Sequence, residues 1–362
     1  MAEPVEVVVV GASACGGLAA REAARAGADV VIVEEDNTPG KFHKCSGLYS
    51  KSGLQRLAVN YKDCIVHEIK GATIHAGRHT FVIDKQKTVA FVLDRQKLDE
   101  EICAEAVSAG AELKLGQRIV KKTSVGIASN SEEFSFNYLI GADGVSSAIS
   151  SLYGFSAFGT GNIAMCYEAE FENCNLADAD KVDVFLDSAI LPGFFGWIIP
   201  AGGGKARIGF GTTQHRAVKS AFEKFFQFSL IKSTIGGDAK KLREFWHSIP
   251  LRVKAQTQKE NVFLVGDAAG QTKSTTGGGV IFGGQCAMIA GRVAAAGGNN
   301  YEEEWRKKFS PTLRAHRLVR KSFDSIPQWA VKLSVLGLDK LLLSKLVENF
   351  GDMDYIAAPL QH

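Results

Sequence analysis

Apolar and polar positions along the chain sort into three kinds of pattern. The first is a continuous apolar run closed by glycine. "VEVVVVGASACGG" (5–17) and "ADVVIVEE" (28–35) each contain such a run and read as strands covered on both faces, the form that parallel strands take. A helix between them runs from the glycine turn through Ala26, so the chain opens with a βαβ unit. "NYLIGADGVSS" (137–147) and "NVFLVGDAAG" (261–270) are two further short buried strands, each ending in glycine and aspartate. The second pattern is shorter and strand-like. "IAMCYEAEF", "KVDVFL", "FFGWIIP" and "KARIGFG", between 163 and 211, predict an antiparallel sheet with "AGGGK" (201–205) as a hairpin turn. The third is helical: from Asp94, from a first turn made of the glycines at 277–279, and from about 301 onward, with Pro311, Pro327 and Pro359 as interruptions.

Composition narrows the class. With 362 residues, 46% hydrophobic and 22% charged, the chain reads as globular, and its 38 glycines exceed the usual share. Seven cysteines without a CxxC pair, and no N-terminal signal pattern, lead to the expectation of free thiols in a reducing, cytoplasmic compartment with no metal site. The longest near-apolar stretch, 277–291, is too short and too glycine-rich to span a bilayer. A net charge of +3 hides an asymmetry, because residues 305–345 hold ten Lys/Arg against two Asp/Glu. That segment reads first as a solvated face. Its overlap with Trp305, Trp329 and a leucine-rich run from Leu333 to Leu343 also permits peripheral contact with the inner face of an anionic membrane. No nucleic-acid-binding motif accompanies the charge.

The glycines mark a nucleotide site. Gly11 permits the tight turn after the first strand, Gly16 and Gly17 permit close helix packing, and the helix start offers unpaired N–H groups to a pyrophosphate. The middle glycine of G-x-G-x-x-G is replaced by Ser13, which tightens the approach without closing it. Glu34, 23 residues after Gly11, stands where a carboxylate accepts ribose hydroxyls. "AGGGK" is not a P-loop, since neither its spacing nor a following helix fits.

Taken together, G-x-S-x-x-G-G, Arg95 and Asp99 of "DRQKLDEEI", G-A-D-G, and G-D-A-A-G followed by T-G-G-G resemble the FAD elements of the para-hydroxybenzoate-hydroxylase-like flavoprotein superfamily, over about residues 5–295. The resemblance implies FAD, with Glu34 on the adenosine ribose, Arg95 near the pyrophosphate, Asp267 on the ribityl chain or pyrophosphate, and Gly277, Gly278 and Gly279 near the isoalloxazine. The expected cofactor contacts are Gly11, Ser13, Ala14, Cys15, Gly16, Glu34, Glu35, Cys45, Ser46, Gly47, Arg95, Asp143, Gly266, Asp267, Gly277, Gly278, Gly279 and Val280. The implied fold is α/β (α+β overall): a Rossmann-like FAD-binding domain over 1–155 and 255–300, with about 45–90 contributing a catalytic loop region. An antiparallel-sheet substrate domain over 156–254 is inserted, and a helical region over 301–362 follows.

Within that superfamily, Phe195-x-Trp197-x-Ile199-Pro200, followed eight residues later by Gly209-x-Gly211, resembles the Y-x-W-x-F-P…G-x-G of geranylgeranyl reductases. "KCSGLYSKSGL" (44–54) resembles their Cys-Gly-x-Gly loop, with Ser46 where glycine is common. This resemblance implies saturation of prenyl C=C bonds in lipid biosynthesis. The apolar strand, with Phe195, Trp197, Ile199, Pro200, Gly209 and Gly211 as substrate contacts, would line a slot. Proton-donor candidates are Cys45, Tyr49 or a water among the amides around Gly278, and Cys45 reads equally as a small buried residue. Lys41, His43, Lys44 and Lys51 are candidates for a phosphate head group or a solvated loop. No second nucleotide-binding unit follows, so electrons are expected from transiently docked NADPH or a ferredoxin-like protein. Two alternatives remain: a monooxygenase or halogenase, because Ile199-Pro200 also matches W-x-W-x-I-P of flavin halogenases, and a lipid-binding or carrier protein with structural FAD. "GDMDY" (351–355) has no derivable role from sequence.

Overall fold

The computed structural model describes residues 4–41, 44–325 and Asp354. Strand Val5–Val10 pairs in parallel with Val30–Val33 on one side and Glu133–Gly141 on the other, and the latter pairs in parallel with Val262–Leu264. Valines fill both faces of the opening strand because helices cover one side and a second core the other. The carboxyl ends of these strands, at Gly11, Glu34, Asp143 and Asp267, therefore meet along one edge of the sheet. The turn there depends on glycine. Gly11 has φ +101°, and a Cβ on Gly16 would lie 1.7 Å from the Gly11 carbonyl oxygen, so helix Ala14–Arg25 can start where it does only without side chains. Helix Val280–Ala295 packs along that first helix, close enough that a Cβ on Gly291 would meet the Ala19 oxygen at 2.1 Å. The glycines at 277–279 precede this helix, with Gly279 at its N-cap; they do not form its first turn as expected.

The second sheet has seven strands in the order Lys240–Pro250, Ile163–Glu172, Ala206–Thr212, Gly196–Pro200, Lys181–Phe185, Gly71–Ala76 and His79–Asp84. Its four central strands are antiparallel as expected, and residues 201–205 form the hairpin turn. The sheet also recruits 71–84 from outside the expected 156–254 boundary, because Lys181–Phe185 pairs in parallel with Gly71–Ala76 and a parallel partner cannot come from an adjacent hairpin. Strand Gly196–Pro200 carries no charge because both of its faces are covered. Trp197 and Ile199 pack on the side of Ile69, Ala90 and Val92. On the other side Ile198 joins a cluster with Ile208, Phe210 and Phe225, and Gly196 leaves room for the Phe225 ring.

A small antiparallel sheet of Leu48–Ser50, Ala90–Leu93 and Ile65–Ile69 sits between the two large ones and fixes the 44–50 loop. Helix Tyr301–Ser325 runs through Pro311 without ending there, contrary to the expected interruption. It is anchored by Tyr301, Trp305, Phe309 and Leu313 in the nucleotide-domain core, and the Trp305 indole donates to Thr257 Oγ1 at 2.9 Å. Trp305 is thus a core residue and not part of an exposed aromatic face. Trp329, the 333–343 run, Pro327 and Pro359 lie outside the described residues.

Candidate active site

One cavity of about 2030 Å³ runs from the carboxyl edge of the parallel sheet to the inner face of the second sheet. Ordinary small-ligand pockets hold about 300–1,000 Å³, so there is room for a large cofactor and a second ligand. The polar arm begins at Glu34. Its carboxylate accepts the Ala12 amide at 2.6 Å and the Asp36 amide at 3.0 Å, which locks the glycine turn to the end of the second strand. Glu35 lines the same end but turns outward toward Arg118. Gly11 and Ser13 line the arm, while Ala14 is buried in the helix start and Cys15 packs its sulfur toward Gly266. Burial pushes the Cys15 thiol up to about 12, so it stays protonated.

Further along, Arg95 is buried with its guanidinium on Asp99 at 3.0 Å and on the Tyr49 hydroxyl at 3.1 Å. Tyr49 is within 3.4 Å of Cys45 Sγ, and the Gly47 amide donates to the same sulfur at 3.4 Å. Asp99, Arg95, Tyr49 and Cys45 therefore form one connected chain leading to the loop. Burial holds the Tyr49 phenol well above its ordinary range, so it keeps its proton. Asp143 reaches the cavity wall but spends its carboxylate on the Ser147 hydroxyl at 2.5 Å and the Ile149 amide at 3.0 Å, closing its own turn. Burial lifts Asp267 to about 6, with Arg95 opposing. Its carboxylate stands beside Gly279, where a Cβ would come within 2.6 Å. Gly277, Gly278, Gly279 and Val280 line the cavity at the start of their helix.

A model of the FAD binding domain family matches residues 4–292. The chain belongs to that family. Among curated relatives, a digeranylgeranylglycerophospholipid reductase of Methanothrix thermoacetophila is 28% identical, over 96% of this chain and 93% of its own length. A solved geranylgeranyl bacteriochlorophyll reductase-like protein of Thermoplasma acidophilum superposes with a TM-score of 0.85 at 22% identity, covering 97% of both chains. A flavin-dependent brominase superposes at 0.76 and 15% identity, covering 98% of this chain and 94% of its own.

The residues present fit FAD. Two helix N-termini with glycine or serine at their caps face an elongated cavity. A carboxylate stands at one end, and at the other a glycine turn lies so close to Asp267 and Lys273 that side chains would fill it. In this FAD-binding oxidoreductase, Gly11, Ser13, Glu34, Arg95, Asp267 and the 277–279 turn line one arm of the cavity, and their chemistry suits that cofactor.

The other arm is apolar. Ile69, Ile74, Val182, Val184, Leu191, Phe194, Phe195, Trp197, Ile199 and Ile249 line it, and Phe194 and Ile249 meet the Gly277 turn where the arms join. Pro200, Gly209 and Gly211 lie buried behind this wall and not on it. A Cβ on Gly209 would strike the Trp197 ring at 2.6 Å, and one on Gly211 the Phe194 ring at 2.5 Å, so G-x-G is the space those rings need. Trp197 also does more than line the wall: its indole donates to Glu168 Oε2 at 2.8 Å.

Sequence reasoning missed Glu168, Arg207, Lys273 and Asp354. The Ser46 hydroxyl also donates to Glu168, whose carboxyl is 1% exposed and carries an unpartnered Oε1. Arg207 donates to the Ser46 carbonyl at 2.6 Å and the Leu93 carbonyl at 3.2 Å, pinning the Cys45-Ser46 loop. The available signal was Glu168 and Glu170 following Ala164 and Cys166 on one face of the same strand, where an apolar row turns acidic. Asp354, from the unexplained "GDMDY", returns to the cavity and pairs with Lys273 and the Ser50 hydroxyl. Lys44 lines the cavity and Lys41 and Lys51 are exposed, whereas His43 lies outside the described residues.

Proposed function

We propose that the protein is an FAD-dependent reductase that saturates C=C bonds of a geranylgeranyl chain in membrane lipid synthesis. The observation that carries this reading is the continuity of an apolar arm, walled by Phe195, Trp197 and Ile199, with the cofactor arm at the Gly277 turn. The names of the relatives support the same substrate class. Bound and reduced, FAD supplies a hydride. The protein's own part is to hold an isoprenoid chain away from water and to position its double bond beside the 277–279 turn. It must also deliver a proton from the Cys45–Tyr49 side of the junction. Lys44 at the cavity and Lys51 nearby suit an anionic head group. NADPH or a ferredoxin-like protein is the proposed electron source, and the proposed location is cytoplasmic, peripheral on the inner membrane face.

A second reading, an aromatic monooxygenase or halogenase, is favoured by Ile199-Pro200 and by the likeness to the brominase fold. An anaerobic experiment separates them. Dithionite-reduced protein is mixed with geranylgeranyl diphosphate or a digeranylgeranylglycerophospholipid, the flavin spectrum followed and the lipid weighed by mass spectrometry. Return of oxidised flavin with two hydrogens gained per turnover is expected. Flavin that stays reduced until air enters refutes the reductase and points to oxygen chemistry.

A further inference from the structure

Resting on the reductase reading, we infer that Glu168 is the proton reservoir for saturation, passing its proton through the Ser46 hydroxyl into the cavity, with Trp197 positioning it. Ser46 and Trp197 both line the cavity, and both hydrogen bond to the same carboxylate oxygen, Oε2. Glu168 itself stands one residue behind the wall, in strand Ile163–Glu172, closed off from solvent. When the carboxyl is protonated on Oε2 the Ser46 contact reverses, Oε2–H donating to Ser46 Oγ and the Ser46 hydroxyl turning to the cavity, so the proton can leave by way of Ser46, whereas Trp197 is a donor only.

The neighbourhood splits two glutamates into opposite states. Glu170, two residues on and on the same face, takes Arg207 at 3.1 Å and Arg243 at 2.8 Å, which hold it ionised against its burial. Glu168 receives neither guanidinium directly. Burial lifts its carboxyl above the usual range despite the Ser46 hydroxyl, Arg207, the indole and Arg243, each of which favours its charge. Other titratable groups facing it are neutral: Cys166 on its own strand, which burial keeps protonated, and His247 on the next strand, which burial and Lys44 hold down at about 4. A pair of carboxyl groups driven apart in this way marks an acid held ready beside a fixed charge.

The step balances. The C=C π bond opens; one carbon receives the hydride supplied by the reduced cofactor, and the other receives the Ser46 hydroxyl proton. The Ser46 oxygen takes the Glu168 proton in the same motion, leaving a carboxylate steadied by the indole N–H and the Ser46 hydroxyl. Between turnovers water entering the open cavity returns the proton along the same route.

The test uses FAD-loaded wild type, Glu168→Gln, Glu168→Asp and Ser46→Ala, each reduced with dithionite and mixed anaerobically with the prenyl substrate across a pH series. Reoxidation is expected to slow at least about 100-fold in Glu168→Gln. Glu168→Asp should recover part of the rate and keep the wild-type fall at high pH. Infrared spectra of the substrate-free protein provide a readout independent of turnover: a protonated-carboxyl band sensitive to deuterium exchange, absent from Glu168→Gln. Should that variant not retain FAD, Ser46→Ala carries the test, keeping the band and losing fast reoxidation. Wild-type reoxidation with Glu168→Gln equally fast overturns the inference alone, and so does absence of the band. A wild type that never reacts with prenyl substrate overturns the reductase reading, and the proton route with it.

Discussion

Replacing Trp197 with phenylalanine distinguishes a wall from an anchor. If the indole only lines the cavity, phenylalanine is a mild change. In the structure the indole also holds a partner, because Nε1 lies 2.8 Å from Glu168 Oε2, and the Glu168 carboxyl is buried with Oε1 already lacking a partner. Removing a donor from a buried acceptor costs about 1–3 kcal/mol, to which the vacated space over Gly209 adds. Destabilisation of about 2–3 kcal/mol is expected, or roughly 3–4 °C in Tm for a chain of this size. The sign with pH follows from burial, which raises the folded Glu168 pKa above its unfolded value. The associated stability is complete below the unfolded carboxyl range, near about 4.3, and is lost as pH rises through the folded value. The indole N–H favours the carboxylate, so Trp197→Phe raises the folded value further and extends that loss to higher pH. The deficit of the variant should therefore widen along a pH series that rises from the unfolded carboxyl range through the raised folded value. Thermal unfolding of FAD-loaded protein over that series is the assay, with flavin content as the control. A Tm within about 1 °C of wild type at every pH would refute the anchor.

Three other perturbations test the cofactor arm. Glu34→Ala removes the acceptor of the Ala12 and Asp36 amides together with the expected ribose contact, and should weaken FAD binding by roughly tenfold to a hundredfold in a fluorescence titration of apoprotein. Asp267, raised to about 6 by burial, contributes stability that is complete below about pH 4 and lost as pH rises through about 6. Apo Asp267→Asn should thus be more stable at pH 7, by about 2 kcal/mol in urea, with a flatter pH profile and poorer FAD retention. Asp354→Leu leaves the buried Lys273 ammonium without its carboxylate and should destabilise by about 3–5 kcal/mol, while adding Lys273→Met recovers part of that loss; a double-variant loss equal to the sum of the Asp354→Leu and Lys273→Met losses would show that the pair is uncoupled.

Legibility in the sequence followed the distance over which each pattern acts. The parallel sheet was readable because Val5–Val10 needs cover on both faces and glycine must follow it, both local requirements. The hairpin at 201–205 was readable for the same reason. The pairing of Gly71–Ala76 with Lys181–Phe185 was not, because a parallel register between segments about a hundred residues apart leaves no mark on either one. Asp354 reaching Ser50 and Lys273 is equally non-local.

The G-x-G at Gly209 and Gly211 shows a subtler limit. Its presence was read correctly, yet the glycines are there for the rings of Trp197 and Phe194, and only the rings face the cavity. Sequence motifs record which positions are constrained, and a constraint one layer behind a wall looks the same as one on its surface. Glu168 is the converse case. It belongs to no motif, but a carboxyl on the apolar face of a strand must be either paired or neutral. Glu170 is paired by Arg207 and Arg243, and Glu168 has the indole and the Ser46 hydroxyl instead. The change from apolar to acidic along that face therefore identifies where chemistry sits behind the wall, and the motif residue Trp197 holds that carboxyl in place.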